Sequence, residues 1–216
     1  MKICFITYGC KVNQAEAQNW EFILRSYGYQ VTTKKEDADI WIINTCAVTK
    51  KAETQSRKII KKARELGIKS LVTGCYVSLV DLESDKNIEF FNNLNKDRII
   101  ERFSPKNKNI DLNLSRHRSI IKIQDGCDNY CSYCIVLYVR GKPRSITIEN
   151  IFEEIKRYEA IEIKEVVLSG INLGLYGRDL NEKINISGLL REVLKKTKIS
   201  KIRLSSIEIK HIDEEL

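Results

Sequence analysis

The sequence predicts an α/β protein, with an N-terminal doubly wound parallel sheet domain followed by an incomplete α/β barrel. Two observations lead there. Short runs rich in Ile and Val alternate with amphipathic stretches of helical spacing along most of the 216 residues, the pattern of parallel sheets covered by helices. Three of the early runs also end alike, each passing into a cysteine: Cys10, Cys46 and Cys75. In a doubly wound sheet the strand ends carry the ligand site, so these three cysteines are expected to converge at one sheet edge.

The first strand is Lys2–Thr7, ending at Tyr8-Gly9-Cys10, with Cys4 alternating into the core. Asn13 is read as a helix cap with Glu16 completing a capping box. Ala17, Trp20, Leu24 and Tyr27 form the apolar face, and Gly28 is the stop signal. A short strand at 29–33 follows, then a buried strand at 39–43 running into Asn44-Thr45-Cys46. The segment Lys50–Leu66 is a helix closed by Gly67, with Ala52, Ser56, Ile59, Ile60 and Ala63 on one face. Ser70–Thr73 is a strand ending in Gly74-Cys75. The apolar pairs around Ile88, Phe90-Phe91 and Ile99-Ile100 suggest a strand or two closing a first domain at residues 1–103.

A polar stretch with Pro105 marks a linker at 104–118. The second domain, 119–216, opens with a strand at Ile120–Ile123. Thr147 caps a helix carrying Ile148, Ile151, Phe152, Ile155 and Tyr158. Glu165–Leu168 is the next strand, Ser187 is read as the cap of a helix carrying Leu189, Leu190, Val193 and Leu194, and Lys201–Leu204 is the third strand. Repeated strand–helix units of this kind place a site at the strand C-termini.

Composition narrows the function. There is no apolar run long enough to span a bilayer, and the N-terminus MKICFITYGC lacks the pattern of a signal peptide. Seven cysteines without an export signal favour metal ligation over disulfides and a cytoplasmic setting. Lys and Arg outnumber Asp and Glu 37 to 29, for a net charge of +8, which favours a polyanionic partner. Much of the excess lies on Lys50–Leu66, whose polar face can attract RNA phosphates or simply be solvated.

The most specific stretch is Gly126-Cys127-Asp128-Asn129-Tyr130-Cys131-Ser132-Tyr133-Cys134. Its C-x3-C-x2-C spacing aims three thiolates at one point, suited to an iron–sulfur cluster or zinc. No fourth Cys or His lies within the next dozen residues, as closed structural zinc requires. With Tyr133 before the last cysteine, the motif resembles the radical S-adenosylmethionine (SAM) enzymes. The longer run GCDNYCSYCIVLYVRG with Arg144-Ser145 resembles their tRNA methylthiotransferases, as do GCKVN, NTC and GC around Cys10, Cys46 and Cys75. The loop Ser169–Gly177 and the run Arg203–Glu208 are most similar to the branch acting on threonylcarbamoyladenosine.

That resemblance implies a radical SAM barrel for the second domain and two 4Fe-4S clusters. One would be held by Cys127, Cys131 and Cys134. The other, on Cys10, Cys46 and Cys75, would supply sulfur. It also implies S-adenosyl-L-methionine as cofactor, near Tyr133, Ser169, Gly170, Asn172 and Ser205. The partners implied are tRNA and a low-potential electron donor such as a flavodoxin-like protein. The implied reaction adds a methylthio group to threonylcarbamoyl-modified adenosine next to the anticodon. Two departures stand out: Leu137 replaces the usual proline, and the chain ends at Leu216, about half the family length, without the remaining barrel strands or the RNA-binding TRAM domain. A truncated, non-catalytic fragment and a zinc-dependent RNA-binding module are the alternatives.

Overall fold

The computed structural model describes residues 1–105, 117–181, 184–212, 214 and 216. Most of the expected linker, 106–116, lies outside the described residues. The chain divides into two compact units: Met1–Leu112 together with Tyr138–Arg140, and Asn113–Leu137 together with Gly141–Leu216.

The first unit is a five-stranded, wholly parallel sheet. It is built from β1 (Lys2–Thr7), α1 (Lys11–Ser26), β2 (Gln30–Thr32), β3 (Ile40–Thr45), α2 (Lys50–Leu66), β4 (Lys69–Gly74), α3 (Cys75–Leu79) and β5 (Ile88–Phe91). The strand order is β2-β1-β3-β4-β5, a doubly wound arrangement whose chain direction switches between β1 and β3. β3 is buried along its whole length, as a central parallel strand covered on both faces must be. Two apolar clusters flank it. One gathers Trp41, Ile43, Ile59, Ile60 and Val72; the other gathers Ile3, Trp20, Leu24, Ile42 and Leu71.

Two local expectations fail here. Asn13 and Glu16 are not a capping box: α1 begins earlier, at Lys11, and both side chains are buried inside it. Tertiary hydrogen bonds claim them instead. Ile99-Ile100 is not a strand but part of a 3-10 turn over Lys96–Arg102, with Ile99 fully buried against the second apolar cluster. α2, by contrast, has the expected bounds, capped by Thr49 and closed by Gly67 in a left-handed conformation.

The second unit contains β6 (Arg118–Lys122), β7 (Gln124–Asp125), α4 (Val136–Arg140, whose last three residues belong to the first unit), β8 (Arg144–Ser145), α5 (Ile148–Glu159), β9 (Glu165–Ser169), α6 (Ile186–Lys196) and β10 (Lys201–Leu204). β6, β9 and β10 form a parallel sheet in the order β10-β9-β6, while β7 and β8 pair antiparallel. Together the units give the α/β class expected, with three parallel strands of barrel type in the second. Thr147 caps α5 as anticipated. Ser187 does not cap α6: Asn185 does, accepting from the Gly188 amide at 2.9 Å, and Ser187 is buried in the first turn. Asn and Ser are near-equal caps in isolation, so their order in the chain could not decide between them. Among the described residues no helix is long and apolar enough to cross a membrane.

Candidate metal centres

The first three cysteines lie at neighbouring strand ends. Cys10 follows β1, Cys46 follows β3 and Cys75 opens α3 directly after β4. β3 lies between β1 and β4, with Thr7 opposite Asn44 and Thr45 opposite Gly74, so the sheet delivers all three to one edge. Ser56 of α2 fixes the Cys46 backbone from both sides, accepting from its amide at 3.0 Å and donating to its carbonyl at 2.9 Å. Gly9 packs so close that a Cβ there would lie 2.6 Å from both Cβ and Sγ of Cys46. Cys46 and Cys75 are buried and Cys10 is exposed. Burial pushes the Cys46 thiol above its ordinary value. Cys75 and Cys10 add to that rise, and a backbone hydrogen bond at Val48 and the nearby Arg140 oppose it.

A buried polar network backs this edge. Asn13 donates from Nδ2 to the carbonyls of Tyr8 (2.8 Å) and Thr45 (2.9 Å). Asn44 donates to Glu16 at 3.0 Å. Lys96 pairs with the same Glu16 carboxylate. Arg140, only 1% exposed, donates to Asn13 Oδ1, lies 3.5 Å from Glu16 Oε1 and brings Nε within 3.3 Å of Cys75 Sγ. Asn93 Nδ2 lies 3.8 Å from the same sulfur and donates to the Val139 carbonyl at 2.7 Å.

Cys127, Cys131 and Cys134 sit on the loop between β7 and α4, each half-buried. The loop is tied at its base. The Cys127 amide donates to the Gly141 carbonyl at 3.1 Å, and Gly126, at φ +72°, passes so near Lys142 that a Cβ would lie 2.1 Å from that carbonyl oxygen. Any other residue would clash there, in a backbone region that glycine alone enters freely. Inside the loop Tyr130 is left-handed at φ 52°, a costly state for a bulky side chain. Gln124 spans the entrance, donating to the Gly126 carbonyl at 2.7 Å and accepting from the Asn172 amide at 3.0 Å. Glu208 gathers Asn129 (2.7 Å) and Asn172 (2.9 Å) onto one oxygen and pairs with Lys210 at 2.8 Å, the bond that does most to hold its carboxyl below the usual range. Among the described residues, no three His, Cys, Asp or Glu side chains are drawn together closely enough to hold a metal ion.

Two family profiles match the chain. One, described as "Uncharacterized protein family UPF0004", spans residues 2–92; the other, the radical SAM superfamily, spans 121–215. A "Threonylcarbamoyladenosine tRNA methylthiotransferase MtaB" of Aquifex aeolicus is 34% identical, over all of this chain and 58% of that protein. Its namesake in Thermotoga maritima is 33% identical over 97% of this chain and 52% of that protein. A "tRNA-2-methylthio-N(6)-dimethylallyladenosine synthase" of Clostridium perfringens is 30% identical over 99% of this chain and 54% of that protein. The chain belongs to the radical SAM methylthiotransferase family. It spans about half the length of the curated relatives it matches. The solved radical SAM methyltransferase TsrM of Kitasatospora setae, with cobalamin and a 4Fe-4S cluster bound, is similar at a TM-score of 0.46 and 13% identity, over 90% of this chain and 52% of that one.

Of the residues expected near SAM in this methylthiotransferase-family chain, Ser169, Gly170, Asn172 and Ser205 lie at or just beyond the C-terminal ends of β9 and β10, and Tyr133 lies on the cysteine loop between β7 and α4. Ser169 is fully buried, and its hydroxyl has no hydrogen-bond partner among the described residues. The Gly170 amide donates to Ser205 Oγ at 3.3 Å. Asn172 is buried, whereas Tyr133 is 90% exposed, with Cys131 the main cause of its raised phenol value. Sequence reasoning missed Arg140, Lys96, Asn93, Gln124, Asn129 and Glu208. It also misread Asn13 and Glu16, although a signal existed: both fall on the Ala17–Trp20–Leu24 face of α1, where polar residues need buried partners.

Proposed function

We propose that this chain carries the chemical core of a tRNA methylthiotransferase. Its reaction adds a methylthio group to threonylcarbamoyl-modified adenosine beside the anticodon. The observation that carries the reading is the pairing of two separate three-cysteine sets in one chain, one on a C-x3-C-x2-C loop and one on adjacent parallel strand ends. Both offer sulfur donors, with no histidine or carboxylate among them, which suits an iron–sulfur cluster better than a hard cation. Cys127, Cys131 and Cys134 would hold one 4Fe-4S cluster and Cys10, Cys46 and Cys75 the second. Bound at the loop, such a group would supply a low-potential electron to SAM, one that a flavodoxin-like donor would provide.

The chain's own residues do the remaining work. Gln124 and Glu208 hold the cysteine loop against the ends of β9 and β10. The unpartnered Ser169 hydroxyl, Gly170, Asn172 and Ser205 form the edge against which SAM would lie, with Tyr133 at its exposed rim. Lys51, Lys58 and Lys62 are exposed at helical spacing on α2 and suit an RNA phosphate backbone in the cytoplasm. The threonylcarbamoyladenosine assignment draws on the names of the Aquifex and Thermotoga relatives and on the Ser169–Gly177 and Arg203–Glu208 runs.

The test is anaerobic reconstitution of the full 216-residue chain with iron and sulfide, then incubation with dithionite, SAM and tRNA bearing threonylcarbamoyladenosine. Wild type should hold about eight irons, falling to about four in Cys127→Ala/Cys131→Ala, and should yield 5′-deoxyadenosine and a methylthiolated nucleoside. SAM cleavage with no tRNA product would refute the substrate assignment. Zinc without iron or sulfide would refute the cluster reading and support the zinc-dependent RNA-binding module instead.

A further inference from the structure

We propose that Arg140 is a positioning residue of the first cysteine site, holding Cys75 as a ligand and offsetting the negative charge of a cluster bound there. The inference rests on the proposed cluster on Cys10, Cys46 and Cys75. Its basis is a contact that cysteine spacing does not reveal. In sequence Arg140 lies just beyond Cys134, yet it packs within the first unit. It is almost fully buried, with Nε 3.3 Å from Cys75 Sγ and its two terminal nitrogens on Asn13 and Glu16.

A guanidinium this deep is costly unless an anion faces it. Glu16 is shared: Lys96, itself buried, pairs with the same oxygen. Two buried cations therefore meet at this carboxylate beside the cysteine edge. A cubane of formal charge two-plus on three thiolates would carry one net negative charge, which a guanidinium beside Cys75 Sγ offsets. A cluster reduced by one electron would be more negative still, and the N–H···S bond from Arg140 Nε to Cys75 would stabilise that form. Asn93 contributes a weaker contact to the same sulfur, at 3.8 Å. Asn13 and Glu16 lock the guanidinium plane, so the donor is aimed before any metal arrives.

The sign of charge separates this role from simple packing. In the 216-residue chain carrying Cys127→Ser, Cys131→Ser and Cys134→Ser, only the first site remains. Anaerobic reconstitution, iron and sulfide analysis, electron paramagnetic resonance and potentiometric titration then follow, with dithionite oxidised as it donates the single electron the cluster accepts. Arg140→Gln should lower the midpoint potential or shed iron. Arg140→Lys should restore most of the loss, and Glu16→Gln should move the potential the opposite way. Lys96→Gln, expected to act in the same direction as Arg140→Gln, covers the case in which an Arg140 variant fails to fold. Potentials that stay fixed, or that shift the same way for the arginine and glutamate variants, would overturn the proposal even if melting temperatures fall. Absence of iron from the parent background, before Arg140 is touched, would overturn the cluster reading and this proposal with it.

Discussion

The two proposed cysteine sites bring three thiols together by opposite means. At the first, the cysteines are far apart in sequence, and the register of three parallel strands brings them to one edge. The backbone there is packed, two thiols are buried, and a polar network with three buried charges stands behind them. At the second, three cysteines within eight residues sit on a half-exposed loop. A few hydrogen bonds at its base and one carboxylate at its tip hold it. A sheet-built site is rigid before metal binds, and its geometry is inseparable from the fold. A loop-built site can adapt to its ligand, and its damage stays local.

The largest expected effect tests that inseparability. Glu16→Ala removes the carboxylate shared by Lys96 and Arg140, leaving two buried cations on a common face. The loss should be about 3–5 kcal/mol, a large part of the stability of a small domain. Urea denaturation of the full chain reads it, and a loss below about 1 kcal/mol would erase the contrast between the sites. Gly9→Ala comes next. Gly9 has φ +93° and no room beside Cys46, so strain and overpacking together should cost about 2–4 kcal/mol, with weaker iron retention at the first site.

How far the sequence reveals each site follows from the same contrast. C-x3-C-x2-C is local, so spacing alone exposes the second site. The first emerges only through strand periodicity, since Cys10, Cys46 and Cys75 share no spacing. α2 is legible to the residue because its apolar stripe and Gly67 both act locally. Asn13, Glu16 and Ser187 are misread because cap propensity is a weak local signal that buried tertiary partners override. Arg140 is invisible at this level: Val-Arg-Gly carries no period, and only the folded unit shows its contact with Cys75.

A smaller effect, confined to the second unit, concerns Glu154 on α5. Burial raises its carboxyl to about 7 from an ordinary 4.5, despite Arg157 and Lys122 nearby and a hydrogen bond from Tyr158. The folded-state value lies above the unfolded one, so ionisation opposes folding. Below about pH 4.5 both states are protonated and there is no penalty. The penalty grows as the pH rises from there to about 7 and is constant above. Glu154→Gln should therefore stabilise the chain at pH 8 by roughly 2 kcal/mol, allowing for partial exposure, and by nearly nothing at pH 4. Equal gains at both pH values would mean that the benefit comes from packing.

The smallest effect on stability should come from the carboxylate at the tip of the second site. Glu208 is largely exposed, and its bonds to Asn129, Asn172 and Lys210 compete with water. Glu208→Ala should cost less than about 1 kcal/mol in urea, a fraction of the loss from Glu16→Ala, although each carboxylate gathers several donors beside a cysteine site. The difference lies in desolvation, because removing a largely exposed acceptor returns Asn129 and Lys210 to water. The mutation should instead act locally, through Asn129, which lies between Cys127 and Cys131. Hydrogen exchange of the amides from Asn129 to Cys134 should quicken while β6, β9 and β10 remain protected. If those strands lose protection too, the loop is coupled to its sheet as tightly as the first site is, and the distinction between a sheet-built and a loop-built site fails.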